Sequence, residues 1–291
     1  MKPLPYWRDT APVFADGAAF PDGERFDVAV IGAGFTGLSA ARSLAISGAR
    51  VVVLEAERVG FGGSGRNGGH LNNGLAHSYI DAVQRFGPQK AKALYEAFDR
   101  SIQTIERIVA QEGIACYFRR AGKLKLASKP AHFQALAKNF EAVHRAVDKD
   151  TALLGPDELG EEVRGPFHGA MLYKKSAMMH MGKFVTGLAQ ATHRRGALIV
   201  EEAPVTARHK DGAHHVLRTE KGAVEAQHVI LATGAYTSGP FDYFRRRVVP
   251  VGSFVIATRP LSEAEIASAV PGKRTYVTSL NVGNYFRLSP D

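Results

Sequence analysis

The chain has 291 residues, 45% of them hydrophobic and 22% charged, a composition typical of folded globular proteins and unlike that of disordered chains. Its 37 basic and 28 acidic residues leave a formal net charge of +9, but the basic residues are dispersed, with one short cluster at 245–247, which argues against nucleic-acid binding. No stretch approaches the roughly 18 apolar residues of a membrane span and the N-terminus lacks the apolar run of a signal peptide, so we expect neither membrane insertion nor export.

Cysteine and histidine usage limits the possible chemistry. Cys116 is the single cysteine, which excludes an intrachain disulfide and a zinc site built from several thiolates. A chain without disulfides is typical of a reducing compartment, and we therefore expect a cytoplasmic location. The 11 histidines form no metal-ligand pattern, so no metal site is predicted.

The most informative segment, residues 26–55, reads FDVAVIGAGFTGLSAARSLAISGARVVVLE. Its pattern predicts a buried strand, a glycine turn, a helix and a second strand, the layout that holds a dinucleotide by its pyrophosphate. Gly32 permits the sharp turn, and Gly34 lets the backbone approach a phosphate without a Cβ in the way. Gly37 allows the helix to pack closely on the strand.

The start of this helix and the end of the second strand are the expected contact points. Phe35 and Thr36 lie in the first helical turn, where free N–H groups and the positive end of the helix dipole favour an anion. Glu55 lies 18 residues after Gly37, where a carboxylate would accept the hydroxyls of an adenosine ribose and repel a phosphate there. Ala56, next to it, is also predicted to border the cofactor.

A second glycine-rich segment covers residues 58–73 and cannot be the interior of a helix or strand. A nicotinamide cofactor needs no second cradle here, whereas a flavin ring must be held along its polar edges beyond the pyrophosphate. We therefore predict that this segment binds FAD; a flexible linker is the alternative. The predicted cradle residues are Gly62, Gly63, Ser64, Gly65, Arg66, Asn67, Gly68 and Gly69.

His70 directly follows the cradle. We expect its backbone to face the isoalloxazine and its ring to act near the substrate amine, as the one candidate catalytic side chain, with a pKa close to neutrality. An ordinary loop histidine is the alternative interpretation.

The motifs GAGFTGLSAA, VVVLEAERVGFGGSGRNGG and VILATGAYTS resemble the FAD-dependent amine and amino-acid oxidases of the D-amino-acid oxidase type. The resemblance extends over essentially the whole chain. It implies an α/β fold in which a Rossmann-like FAD-binding domain of the glutathione-reductase-like type is interleaved with an α+β substrate domain. It also implies FAD as cofactor and oxidation of a C–N bond to an imine, which water hydrolyses.

The same resemblance implies the ligands and further contacts. The substrate would be a small amine or amino acid, gamma-glutamylputrescine among the candidates, and the electron acceptor oxygen or a quinone. Thr233 and Gly234 would lie against the adenosine part of the cofactor, and Val205 would present its backbone to the adenine. For Val205, an ordinary core valine is the alternative.

The expected FAD-binding domain comprises residues 1–82 and 178–240, and the substrate domain comprises residues 83–177 and 241–291. Within the substrate domain, residues 116–128 are predicted to form a strand pair, and residues 245–261 an apolar strand of the substrate sheet. A long helix is expected to end at Gly113 and to bury a stripe consisting of Leu94, Phe98, Ile102, Ile105 and Val109.

The end of the sequence supports a second functional interpretation. Residues 285–291, YFRLSPD, resemble the middle of a substrate-domain hairpin, and the family continues beyond it, so we expect a C-terminally truncated chain with an incomplete substrate domain. The alternative function is therefore an inactive fragment or an accessory FAD-binding subunit. A nicotinamide dehydrogenase would leave the glycine-rich cradle unexplained.

Overall fold

The structure, a computed structural model, describes residues 4–290. Two compact units share the chain, and each is assembled from three separate stretches of sequence. Unit 1 consists of Met1–Asn67, Glu112–Cys116 and Met181–Val255. Unit 2 consists of Gly68–Gln111, Tyr117–His180 and Ile256–Asp291. The predicted assignment of cofactor and substrate domains stays a prediction.

The chain contains both helices and strands, with short 3-10 helices at Gly63–Gly65, Pro156–Glu161 and Gly234–Tyr236. The strands are β1 (Arg25–Ile31), β2 (Val51–Leu54), β3 (His70–Leu71), β4 (Lys123–Leu126), β5 (Thr151–Leu154), β6 (Ala170–Tyr173), β7 (Ala177–Met178), β8 (Leu198–Val200), β9 (Ala207–Asp211), β10 (His214–Thr219), β11 (Gly222–Leu231), β12 (Thr275–Thr278) and β13 (Tyr285–Arg287). The helices are α1 (Tyr6–Asp9), α2 (Phe35–Ile46), α3 (Tyr79–Phe86), α4 (Pro88–Glu112), α5 (Pro130–Ala146), α6 (Met181–Arg194), α7 (Asp242–Arg245) and α8 (Glu263–Ala269).

Unit 1 is built on a six-stranded sheet in the order β8-β2-β1-β11-β10-β9. The first four strands are parallel, and β10 and β9 extend the sheet as antiparallel strands. All four residues of β2 are buried, as expected for a parallel strand covered on both faces. This sheet confirms the predicted α/β fold.

Two helices of unit 1 pack on each other beside this sheet. α2 connects β1 with β2 and contacts α6. The rings of Phe35 and Phe184 lie 5.4 Å apart, and the Thr192 hydroxyl donates to the carbonyl of Leu38 at 3.2 Å. Because α2 begins at Phe35, directly after the glycine turn that follows β1, its N-terminus lies at the carboxyl end of β1, the edge of a parallel sheet at which nucleotides commonly bind.

Unit 2 contains a five-stranded sheet in the order β13-β12-β4-β6-β5 and a separate two-stranded ladder, β3-β7. β12 and β4 are parallel, and the other neighbours in the larger sheet are antiparallel. Residues of α3 and α5 pack with Tyr95 and Met171 in one hydrophobic cluster of this unit. None of the helices in the described chain is long and apolar enough to cross a membrane.

The long helix α4 is confirmed, and Gly113 follows its end with a φ of +64°, but the predicted buried stripe is partly wrong. Phe98 is 44% exposed, whereas Tyr95 is 1% exposed. The Tyr95 hydroxyl donates to the carboxylate of Asp148, which is fully buried, at 3.0 Å. This hydrogen bond directs the Tyr95 side chain into the core, although Tyr95 does not belong to the apolar stripe predicted for this helix.

Two strand predictions are also wrong. Residues 116–128 contain one strand, β4, whose partners β6 and β12 lie far away in sequence, instead of a strand pair. Residues 245–261 form no strand in the described chain, and Val249 and Phe254 are 84% and 94% exposed. A strand requires partners for its N–H and C=O groups, and an apolar sequence alone does not supply them.

Candidate cofactor site

The three glycines of the first motif are required by close backbone contacts in unit 1. Gly32 has a φ of +104°, and a Cβ on it would lie 2.8 Å from the carbonyl oxygen of Ala232. A Cβ on Gly37 would lie 1.9 Å from the carbonyl oxygen of Gly32. The turn therefore folds against both its own helix and the end of β11, and a side chain at either position would disrupt it.

Ser64 closes over the start of α2. Its Oγ accepts a hydrogen bond from the Phe35 N–H at 3.0 Å, and a Cβ on Gly34 would meet that oxygen at 2.9 Å. The first intrahelical bond joins the Leu38 N–H to the Gly34 carbonyl. The N–H groups of Thr36 and Gly37 belong to the first turn, whose amides have no intrahelical acceptor and favour an anion.

Glu55 lies at the end of β2, next to the glycine turn. One oxygen of its carboxylate accepts the Ala33 N–H at 2.6 Å and the other accepts the Glu57 N–H at 3.0 Å. Burial raises the pKa of Glu55, and these two backbone hydrogen bonds oppose the rise. Each carboxylate oxygen has a second lone pair, so the group retains the capacity to accept a ribose hydroxyl. Ala56 follows directly and is exposed.

The cradle residues of unit 1 fold the glycine-rich segment on itself. The Arg66 Nε–H donates to the Phe61 carbonyl at 2.6 Å, and its guanidinium lies 4.6 Å from the centre of the Phe61 ring. The Asn67 side-chain amide donates to the carbonyls of Gly63 and Ser64 at 3.1 and 2.9 Å. These side-chain hydrogen bonds of Arg66 and Asn67 go to backbone carbonyls within the segment, and contacts of the two residues with phosphate stay a prediction.

Glycine packing supports the same segment. A Cβ on Gly65 would lie 2.3 Å from the Gly60 carbonyl oxygen, and a Cβ on Gly62 would lie 3.1 Å from the ring of Tyr236. These close approaches account for glycines in the middle of the segment. A flexible linker would have no such requirement, so the linker alternative does not explain the packing.

The turn after β11 lies beside the first glycine turn. The Ala232 N–H donates to the Ile31 carbonyl at 2.8 Å, and the hydroxyls of Thr233 and Thr237 are 2.6 Å apart. Gly234 has a φ of +53°. Thr233 and Gly234 thus come within the neighbourhood of Gly32, as their predicted role requires, because β1 and β11 are parallel neighbours.

Val205 is half-buried and packs against the hydrophobic core of unit 1 that contains Phe26 and Leu217. Its carbonyl oxygen would lie 3.0 Å from a Cβ on Gly239. This packing accounts for an apolar residue at position 205. The predicted contact of its backbone with adenine stays a prediction.

His70 and the last two cradle residues, Gly68 and Gly69, belong to unit 2. His70 lies in β3, and its ring is 5.8 Å from that of Tyr285 in an edge-to-face arrangement. Burial lowers the pKa of His70 to about 4, and the charges of Arg287 and Lys123 add to the effect. The expectation of a pKa near neutrality is therefore wrong. Among the described residues, its buried Nδ1 has no hydrogen-bond partner.

The sequence alone did not identify the buried lysine Lys123 near His70. Lys123 is buried, its ammonium donates to the Asn73 carbonyl at 3.0 Å, and it lies 4.2 Å from the centre of the Tyr173 ring. Burial, together with the nearby Lys125, lowers the pKa of Lys123 to about 7. In β4, KLKL, lysines alternate with leucines, a pattern that suggests that both lysines point toward solvent. The structure shows instead that both faces of the strand are covered, so that Lys123 is buried.

The residues of unit 1 fit a dinucleotide cofactor. The glycine turn would clash with an added Cβ at Gly32 or Gly37, the start of α2 is available to an anion, and Glu55 can accept ribose hydroxyls. The second glycine-rich segment is closely packed at Gly62 and Gly65, and its predicted role as a cradle for a flavin stays a prediction.

Curated relatives share sequence over most of this chain. The probable oxidoreductase OrdL of Haemophilus influenzae is 34% identical over 279 residues, which cover 92% of this chain and 63% of the relative. Gamma-glutamylputrescine oxidoreductase of Escherichia coli is 35% identical over 270 residues, covering 91% of this chain and 62% of the relative. The chain thus spans less than two thirds of the length of either protein.

Solved structures and a family model also match this chain. Glycine oxidase from Geobacillus kaustophilus is 26% identical with a TM-score of 0.61, covering 73% of this chain and 56% of that structure. L-proline dehydrogenase from P. horikoshii is 18% identical with a TM-score of 0.68, covering 92% and 68%, and shows the fold alone. The model of the DAO family, described as FAD dependent oxidoreductase, matches residues 27–291. The chain therefore belongs to the DAO family of FAD-dependent oxidoreductases.

Proposed function

We propose that this chain is an FAD-dependent oxidoreductase that oxidises a C–N bond of an amine or amino acid to an imine. The observation that carries the proposal is the glycine turn of residues 32–37, bordered by Ser64 and by the carboxylate of Glu55. Membership of the DAO family supports the cofactor, FAD, and the class of reaction.

The chain's own residues bind and orient the cofactor. The start of α2 holds the pyrophosphate through the N–H groups of Thr36 and Gly37, and Glu55 accepts hydroxyls of the ribose. The turn at Thr233 and Gly234 borders the adenosine part. When bound, FAD supplies a ring that accepts a hydride from the substrate carbon next to the nitrogen.

Residues 62–69 and His70 are proposed to border the flavin ring. The low pKa of His70 keeps its imidazole uncharged at neutral pH, so it serves as a neutral hydrogen-bonding group and not as an acid with a pKa near 7. Its Nδ1, buried and without a partner among residues 4–290, is the atom available for that bond.

Gamma-glutamylputrescine is the proposed substrate, because the E. coli relative that carries this substrate in its name is 35% identical over 91% of the chain. Oxygen or a quinone is the proposed electron acceptor. We further propose a cytoplasmic location, which the single, buried thiol of Cys116 supports.

The test has two stages. First, the purified chain is mixed with excess FAD, free FAD is removed, and the absorption spectrum is recorded, with Gly37→Ala as the control for nonspecific flavin binding. Second, gamma-glutamylputrescine, other amines and amino acids are added without oxygen, and the flavin band is followed. Retained flavin bands that one of these compounds bleaches support the proposal.

Two other outcomes decide against parts of it. Retained flavin bands that no amine or amino acid bleaches would support the alternative of an accessory FAD-binding subunit or an inactive fragment. A wild-type chain that retains no more flavin than Gly37→Ala would overturn the proposed cofactor site itself.

A further inference from the structure

The short ladder that follows the glycine-rich segment is held by very few of its own hydrogen bonds. β3 and β7 pair over two residues each, His70 with Met178 and Leu71 with Ala177. A ladder of this length is marginal without additional contacts. The backbone just before it is also unusual, because Gly69 has a φ of +72°, which residues other than glycine rarely adopt.

Arg287 joins the two strands of this ladder at one end. Its Nη1 donates to the carbonyl of Gly69 at 2.6 Å and to the carbonyl of Met179 at 2.9 Å. The direct backbone bond between these residues, from the Met179 N–H to the Gly69 carbonyl, is long at 3.5 Å. Hydrogen bonds from a charged donor are shorter and stronger than neutral ones, so the guanidinium is the stronger link.

Arg287 is itself held in place by backbone contacts. The residue ends β13, where it pairs with Thr275 of β12 in the five-stranded sheet, and its Nε–H donates to the Leu288 carbonyl at 3.0 Å. Arg287 therefore connects the five-stranded sheet with the backbone at Gly69. Lys123, from β4 of the same sheet, donates to the Asn73 carbonyl on the other side of β3.

We propose that Arg287 is a positioning residue that fixes the backbone of Gly69 and His70 in the geometry that bound flavin requires. The inference rests on the proposed function. It requires no direct contact between Arg287 and the cofactor, because the effect passes through the two carbonyls that the guanidinium joins.

The test compares Arg287→Gln with Arg120→Gln in the full 291-residue chain. Arg120 is a matched control, since it also lies in unit 2 and donates from its guanidinium to a backbone carbonyl, that of Lys175, at 2.6 Å. Two quantities are measured: the Kd for FAD by quenching of flavin fluorescence, and amide hydrogen exchange of peptides covering residues 69–72 in the FAD-free protein.

Arg287→Gln is expected to raise the Kd about tenfold and to accelerate exchange at residues 69–72, while Arg120→Gln changes neither. If the wild-type chain binds FAD and Arg287→Gln equals it in either measurement, the inference is overturned and the proposed cofactor site stays intact. Wild-type chain that does not bind FAD overturns both. If Arg287→Gln does not fold, Arg287→Lys is measured in its place, because a lysine keeps the charge but has no planar fork to join two carbonyls. Wild-type affinity and wild-type exchange in Arg287→Lys would also overturn the inference.

Discussion

The carboxylate of Glu55 and the backbone N–H of Ala33 are joined by a hydrogen bond of 2.6 Å. This bond connects the end of β2 with the glycine turn that follows β1, so the acid predicted to hold the ribose also fixes the turn predicted to hold the pyrophosphate. The two halves of the dinucleotide motif are therefore one structural element, and a change at Glu55 is expected to affect both.

Replacing Glu55 by alanine should weaken FAD binding roughly ten- to a hundredfold, because charge-assisted hydrogen bonds to the ribose are lost. The Kd for FAD, measured by fluorescence quenching, checks this. Glu57→Ala is the control, since Glu57 is an exposed glutamate two residues away. Equal Kd values for Glu55→Ala and Glu57→Ala would show that Glu55 only terminates the strand.

Adding a methyl group at Gly37 should destabilise unit 1 and abolish FAD binding. The new Cβ would lie 1.9 Å from the Gly32 carbonyl oxygen, so the turn must move, at a cost of about 1–3 kcal/mol for overpacking. Urea unfolding and flavin retention measure the two effects. Gly160→Ala is the control, because a Cβ there meets no heavy atom within 4 Å. A Gly37→Ala chain that binds FAD normally would contradict the close packing of α2 on β1.

The pH dependence of the free energy of unfolding should reveal the lowered pKa of His70. Its pKa falls from 6.5 to about 4 in the folded protein, so the unfolded state takes up a proton first as the pH decreases. His70 therefore reduces stability progressively between these two values, by about 2 kcal/mol at pH 5 relative to neutral pH.

Urea unfolding of the FAD-free chain at pH 7 and pH 5 tests this expectation. Wild type should lose about 2 kcal/mol more than His70→Gln over this interval. His209→Gln, at an exposed histidine, controls for the loss of an imidazole elsewhere and should follow the wild type. Identical pH profiles for wild type and His70→Gln would contradict the buried, uncharged state of His70.

Glu112 should be one of the most sensitive positions for the stability of unit 1. Its side chain is 3% exposed, and one carboxylate oxygen accepts hydrogen bonds from Arg42 at 2.9 Å and Arg195 at 3.0 Å. Burial alone would raise the pKa of Glu112, but the two arginines outweigh it and lower the pKa below 4.5. The ion pair therefore stabilises the protein above pH 4.5, and this stabilisation is lost as the pH falls through the lowered pKa.

Glu112→Gln should reduce the free energy of unfolding at pH 7 by about 3 kcal/mol, because the partly buried Arg42 loses its countercharge. Its stability should also fall less than that of wild type on acidification below pH 4.5. Glu96→Gln, at an exposed ion pair with Lys92 at 3.9 Å, should cost less than about 1 kcal/mol. Equal losses in the two variants would refute the special role of Glu112.

Local sequence determined the parts of this protein that depend on neighbouring residues. The alternation of apolar strand, glycines and helix in residues 26–55 is sufficient to predict β1, α2 and β2, because each element follows directly from the previous one. The end of α4 at Gly113 is similarly local, since a glycine with positive φ terminates a helix without a steric penalty. Membership of the DAO family confirms the cofactor that these motifs indicate.

Only the tertiary structure decided the features that depend on distant partners. Ser64 meets the Phe35 amide because the glycine-rich segment folds back on α2, and Tyr95 turns inward because Asp148 lies buried beside it. Residues 245–261 have an apolar sequence but no strand partner in the described chain. The low pKa of His70 arises from burial and from Arg287, which is 217 positions away. Burial, strand pairing and electrostatics are properties of the assembled chain, and no local pattern encodes them.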